Sequence, residues 1–94
     1  PILRQLVHHF NMITQVVTSS ILSRTTLSTR IMLVEMWIIV ADHAFKMNNY
    51  SLGLQITSAL GSTSISRLKS TFAGLQPKYM KLLAELSSMV NPLD

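Results

Sequence analysis

The 94-residue sequence contains no cysteine. This absence excludes a disulfide framework, a thiolate zinc site and catalysis by a cysteine nucleophile. Glycine is also scarce: Gly53, Gly61 and Gly74 are too far apart to form a loop that cradles a phosphate. The densest apolar run, residues 31–41, is interrupted by Glu35 and is shorter than the roughly 20 residues that a membrane-spanning helix needs.

Charged side chains are few, at 13% of the residues, whereas hydrophobic residues make up 48%. An average soluble domain carries roughly 25% charged residues. A small domain has more surface per unit volume and should need more charge than that. We therefore expect part of the apolar surface to be covered by a partner or by further helices of a larger domain. The high apolar content also excludes a disordered tail.

The net charge is +4, but the eight basic residues are scattered along the chain. They approach one another only at Arg67 with Lys69 and at Lys78 with Lys81, and no aromatic stripe accompanies them, so we expect no nucleic-acid partner. Residues 59–68 resemble the turn and recognition helix of a helix-turn-helix protein. The gap between Gly61 and Ile65 is about two residues shorter than that motif allows, and this interpretation is kept as an alternative.

Hydrophobic periodicity predicts an all-α fold, an irregular bundle of about five helices. The first helix carries one apolar face, formed by Leu3, Leu6, Phe10, Ile13, Val17 and Ile21. The second begins at Thr26 or Ser28, ends before Asn48-Asn49, and is apolar enough to be the central, enclosed helix. A third, capped by Ser51, ends at Gly61. A fourth runs from Thr63 or Ser64 to about Phe72, and a fifth begins at Pro77 and stops at Asn91-Pro92.

Residues able to carry chemistry do not form a recognisable site. His8 and His9 are adjacent, whereas two histidines that share a metal on a helix are usually four residues apart. No G-x-S-x-G nucleophile motif is present, and the four carboxylates resemble ordinary surface charges. We expect no metal, no cofactor and no bond chemistry in this chain.

Short motifs along nearly the whole chain resemble those of one protein family in order and spacing. They are His9-Phe10-Asn11, Val17, Ile21-Leu22, Arg30, Ala41, Asn48-Asn49-Tyr50, Ile56, Ser58-Ala59-Leu60, Ile65, Arg67-Leu68-Lys69 and Thr71-Phe72. In these segments the sequence is similar to the catalytic domain of Ras-type guanine-nucleotide exchange factors (RasGEF). It departs from the family at Ser51, where another Asn is usual, at Gly61-Ser62-Thr63 in place of Asn-Ser-Ser, and at Phe72 in place of the frequent Trp.

The resemblance implies that residues 1–94 are part of a RasGEF catalytic domain, without its N-terminal segment and its helical hairpin. It further implies that the intact parent promotes GDP release from a Ras-family small GTPase by binding the switch regions. The fragment alone is then expected to be inactive. The expected location is the cytoplasm, with recruitment to the membrane only through the GTPase. Alternatives are an exchange-inactive RasGEF-like scaffold, the helix-turn-helix module and a self-associating helical module.

The candidate GTPase-binding residues are Ala41, Phe45, Asn48 and Asn49. Ala41, Phe45 and Asn48 are spaced i, i+4 and i+7, which places them on one stripe at the end of the second helix. In the family, the positions that match Ala41 and Asn48 are taken to face switch II. Two structural interpretations stay open: Ala41 could pack in the core, and Asn48-Asn49 could serve only to cap helices.

Overall fold

The computed structural model describes residues 2–90, and all regular structure in this range is helical. Six helices follow one another: α1 (Ile2–Leu22), α2 (Leu27–Lys46), α3 (Tyr50–Leu60), α4 (Thr63–Ser66), α5 (Lys69–Ala73) and α6 (Pro77–Val90). The all-α prediction is confirmed, and the predicted start of the last helix at Pro77 is correct. The predicted stop at Asn91-Pro92 lies outside the described residues.

The predicted fourth helix is two short helices, because the backbone leaves the helical conformation at Leu68 (φ −77°, ψ 73°). The bend allows the two short helices to pack on different neighbours. α4 lies against α1 and α3, whereas α5 lies against α2. In a straight helix Ile65 and Thr71 would lie about 120° apart around the axis, whereas the bent segment buries both. Periodicity alone misses such a bend, because Ile65, Leu68 and Phe72 keep helical spacing across it.

The two capping predictions had different outcomes. Thr26 is the N-cap of α2, where its hydroxyl accepts a hydrogen bond from the Thr29 N–H at 3.4 Å. The predicted cap of α3 at Ser51 is wrong. Asn49 takes that position, since its side-chain Oδ1 accepts from the Leu52 N–H at 3.3 Å. The hydroxyl of Ser51 instead accepts from Gln55 Nε2 at 2.8 Å.

α2 is the central helix, because it packs on α1, α3, α5 and α6. Two side-chain hydrogen bonds fix its neighbours. Trp37 Nε1 donates to Ser20 Oγ on α1 at 2.8 Å, and the Glu35 carboxylate accepts from the Gln76 N–H at 3.1 Å, just before α6 begins. The prediction that α2 is enclosed is wrong on one side, where Met32, Met36 and Ile39 are exposed.

The core lies where α2 and α3 cross the C-terminal half of α1 and the middle of α6. Its buried apolar members are Val17, Ile21, Val34, Ile38, Ala41, Phe45, Ile56, Ala59, Leu60, Ile65, Leu75 and Leu86. The apolar face predicted for α1 is only partly used. Val17 and Ile21 are buried, whereas Leu3 and Phe10 are exposed; the predicted contribution of the Leu6 side chain lies outside the described part of the chain.

Candidate functional site

The predicted site residues Ala41 and Phe45 lie in the core of the chain, with exposed fractions of 0% and 8%. The Phe45 ring packs directly on the backbone of α3. A Cβ atom added at Gly53 would come within 2.7 Å of that ring, so only glycine allows this close approach. Phe45 therefore joins α2 to α3, and neither Ala41 nor Phe45 offers a broad surface to a partner.

The predicted site residues Asn48 and Asn49 lie at the corner between α2 and α3 and are both exposed. Asn48 adopts a left-handed conformation with φ 65°, which asparagine tolerates better than most residues. Its Oδ1 accepts a hydrogen bond from the Tyr50 hydroxyl at 3.2 Å. The Tyr50 ring in turn lies against Phe45, with ring centroids 6.1 Å apart. Both asparagines thus shape the corner, and Asn48 also presents its amide to solvent.

An apolar groove of about 460 Å³ lies beside this corner, between the C-terminal half of α2 and the start of α3. It is lined by Ile39, Val40, His43, Ala44, Met47, Asn49 and Leu52. The corner therefore combines an apolar groove with exposed amide groups. A concave apolar surface with a few polar groups at its edge is typical of sites that bind an apolar side chain of a partner.

A polar cleft of about 250 Å³ lies between the C-terminal ends of α3 and α6. It is lined by Thr57, Ser58, Gly61, Ser87 and Val90. Sequence reasoning missed it, because it forms only when the last turns of two helices distant in sequence meet. The apolar groove left a clearer signal, since Ile39 and His43 of α2 and Met47 at its C-cap recur every four residues and lie on one face.

Electrostatic interactions in the described residues are sparse. Lys46 Nζ and Asp42 Oδ2 form an ion pair at 2.9 Å on α2, and because the Lys46 side chain is mostly exposed, solvent screens the pair and its contribution to stability is small. Within residues 2–90, no cluster of three or more His, Cys, Asp or Glu side chains is placed to hold a metal ion. None of the described helices has the length and apolar character to cross a bilayer.

The helix-turn-helix alternative is not supported by the local structure. The segment that would form the recognition helix is α4, which has only four residues and is followed by the bend at Leu68. A recognition helix must extend far enough to place several side chains along the major groove. A single turn cannot do this, and Ile65, which would lie near its middle, is fully buried.

The family model of the RasGEF domain matches residues 1–94, so the chain belongs to the RasGEF family, whose members are guanine-nucleotide exchange factors. The chain is 36% identical over 91 residues to Ras-specific guanine nucleotide-releasing factor 2 of Danio rerio, covering 97% of this chain and 7% of that protein. It is 40% identical over 88 residues to the human Ral-GDS-related protein, covering 92% of this chain and 19% of that protein. The chain thus spans less than a fifth of either relative.

The family predicted from the spaced motifs is therefore confirmed. The match extends to both Ras-named and Ral-named relatives. A third relative is human Ral guanine nucleotide dissociation stimulator-like 1. The chain is 37% identical to it over 91 residues, which cover 95% of this chain and 12% of that protein. The assignment of Ala41, Phe45, Asn48 and Asn49 to a partner surface stays a prediction.

Proposed function

We propose that the parent of this chain promotes GDP release from a Ras-family small GTPase by binding its switch regions. The observation that carries the proposal is the family match over residues 1–94, together with relatives named for nucleotide release from Ras and for Ral. The partner class is thus a small GTPase of the Ras or Ral type. We place the activity in the cytoplasm, with the GTPase as the link to the membrane.

The proposed mechanism needs no covalent step. A factor that binds the nucleotide-free GTPase more tightly than the loaded form must weaken nucleotide binding by the same factor, because the two binding equilibria are linked. In this mechanism the role of the chain is to bind and orient the GTPase. Its helices act as a rigid support, since the core joins α2 and α3 closely at Phe45 and Gly53.

Within this proposal, Asn48 and Asn49 contact the GTPase. The buried side chains of Ala41 and Phe45 support the corner between α2 and α3 from the core. The exposed amide of Asn48 can donate and accept hydrogen bonds, and the apolar groove lies next to it for an apolar side chain of the switch region. The polar cleft between α3 and α6 is a second concave surface with hydrogen-bonding groups, and it serves as the comparison in the test of Asn48.

Nucleotide release from loaded GTPases tests the proposal. We expect the full-length parent to accelerate the loss of fluorescent GDP from at least one Ras-type or Ral-type GTPase, and the 94-residue chain alone to leave the rate unchanged. The measurement is the decay of fluorescence after adding excess unlabelled nucleotide, with a Rho-type GTPase as control. Strong acceleration by the chain alone would contradict the expected inactivity. Binding without acceleration by the full-length parent would instead indicate an exchange-inactive scaffold.

Substitution of Asn48 tests the proposed contact. If its amide makes a buried hydrogen bond to the GTPase, Asn48→Ala in the full-length parent should weaken binding of the nucleotide-free GTPase by about 1–3 kcal/mol. Asn48→Gly removes the same amide but suits the left-handed backbone, so both variants should show the same loss. Calorimetric titration measures the affinity, and thermal melting checks the fold.

The matched comparison is Ser87→Leu, which places a larger apolar side chain at the polar cleft. The proposal expects this variant to bind the GTPase as the unchanged protein does. Normal affinity in both Asn48 variants with a large loss in Ser87→Leu would remove Asn48 from the site and assign the contact to the cleft.

A further inference from the structure

We propose that Tyr50 is a positioning residue for the GTPase contact of Asn48, and that Asn48 presents a hydrogen-bond donor to an acceptor oxygen of the switch region. The Tyr50 hydroxyl holds the carbonyl end of the Asn48 amide, so the Nδ2 end is left to the partner. The inference rests on the proposed function and deepens it, because it names the chemistry of the group that Asn48 meets.

An exposed asparagine amide has two chemically different ends. Its carbonyl oxygen accepts hydrogen bonds, whereas its NH2 group donates them. The last torsion of the side chain has a broad, roughly two-fold profile, so a free amide exchanges the two ends by rotation. The group that holds one end of the Asn48 amide therefore decides whether a partner meets a donor or an acceptor.

The group that holds the Asn48 amide is the hydroxyl of Tyr50. The phenolic O–H donates to Asn48 Oδ1, with 3.2 Å between the two oxygens. A phenolic hydroxyl donates readily and accepts weakly, since its lone pairs are delocalised into the ring, so it favours the carbonyl end of the amide over the NH2 end. No acceptor among the described residues is bonded to Asn48 Nδ2, and both of its N–H groups remain for a partner.

Tyr50 is itself held by both helices of the corner. It is the first residue of α3, and its ring lies against the Phe45 ring of α2, with centroids 6.1 Å apart and the ring planes inclined at 54°. The Phe45 ring in turn packs on the backbone at Gly53. The core therefore sets the position of the Tyr50 hydroxyl, although Tyr50 as a whole is 54% exposed.

The backbone at Asn48 is fixed, which leaves the side-chain torsions as the main freedom of this residue. The Asn48 N–H donates to the Phe45 carbonyl at 3.0 Å, and the Asn49 N–H donates to the Ala44 carbonyl at 2.8 Å. These bonds hold the left-handed conformation of Asn48 (φ 65°) against the end of α2. Holding the amide as well, before the partner arrives, removes an ordering cost from binding and corresponds to a gain in affinity of about threefold to tenfold.

A double-mutant cycle in the full-length parent tests the positioning role, with the Kd for the nucleotide-free GTPase measured by calorimetric titration. Tyr50→Phe removes the hydroxyl and keeps the ring on Phe45, and we expect the Kd to rise about threefold to tenfold. In the Asn48→Ala background the same change should have no further effect, since the amide that Tyr50 holds is gone. Tyr79→Phe on α6 removes the hydroxyl of the other tyrosine and should leave the Kd unchanged. Thermal melting should give the same midpoint for Tyr50→Phe and the unchanged protein.

Asn48→Asp in the same parent tests the donor role. An aspartate still accepts from the Tyr50 hydroxyl and tolerates the left-handed backbone, but it offers the partner only acceptors. We expect Asn48→Asp to weaken binding at least as much as Asn48→Ala does. If the acceptor in the GTPase is a carboxylate, the loss in Asn48→Asp should shrink as salt is added, because salt screens the repulsion. A backbone carbonyl as acceptor would give a loss that salt hardly changes.

Each contrary result has its own meaning. Normal affinity in Asn48→Asp with a loss in Asn48→Ala would overturn the donor assignment. An unchanged Kd in Tyr50→Phe, or an equal loss with and without the Asn48 amide, would overturn the positioning role. Normal affinity in Asn48→Ala would overturn the whole inference. In all these results the parent still binds its GTPase, so the proposed function stands, whereas a parent that neither binds nor accelerates any Ras-type or Ral-type GTPase would overturn both.

Discussion

Ala41→Glu should unfold the chain. Ala41 is a fully buried core residue of α2, so the new carboxylate would be removed from water. An uncompensated buried charge costs about 3–5 kcal/mol, which is comparable with the whole stability of a small domain. We expect the far-UV helical signal to be lost, or the urea midpoint to fall below the measurable range.

The matched control is Ala84→Glu, which makes the same change at an exposed position of α6. It should change stability by less than about 0.5 kcal/mol, because surface substitutions away from special features are usually neutral. The pair of variants also separates the two interpretations of Ala41. A folded Ala41→Glu chain of normal stability would show that the position is accessible, as a direct GTPase contact requires.

Ile56→Ala should lower the free energy of unfolding by about 2–5 kcal/mol. The side chain is fully buried at the centre of α3 and belongs to the core that joins this helix to α2. Its removal loses apolar burial and leaves a cavity that the helices on both sides of α3 cannot easily close. Urea unfolding followed by circular dichroism at 222 nm measures the change as a shift of the midpoint at constant slope.

The control for this prediction is Leu54→Ala on the same helix, where the side chain is partly exposed. It removes a similar number of carbon atoms with far less loss of burial, and the expected change is below about 1 kcal/mol. Equal destabilisation by both variants would contradict the position of the core. The comparison depends only on α3, so it is independent of any partner.

The helix boundaries that the sequence predicted correctly are those at which a single residue favours the start or the end of a helix through its own local conformation or hydrogen bonding. Thr26 caps α2, Asn48 takes the left-handed conformation after α2, and Pro77 opens α6. Each effect acts within one turn and needs no tertiary information. Ser51 was a reasonable cap by the same logic, but Asn49 is nearer to the corner and its longer side chain reaches the Leu52 N–H.

The features that local reasoning missed depend on contacts between distant segments. The bend at Leu68 exists because α4 and α5 pack on different helices. The burial of Phe45 accompanies the close approach of its ring to Gly53, which a helical stripe cannot reveal. Of the four candidate site residues, Asn48 and Asn49 are exposed at the corner between α2 and α3, whereas Ala41 and Phe45 are buried, and their assignment to a GTPase-binding surface stays a prediction.

The hydrogen bond between Trp37 and Ser20 makes the only tryptophan of the sequence a local optical reporter. Its half-buried indole lies at the junction of α1 and α2, and its N–H donates to Ser20 of α1. Intrinsic emission therefore registers whether the first helix is docked, whereas dichroism registers helix content throughout. Divergence between the two signals would separate detachment of α1 from global melting without any label.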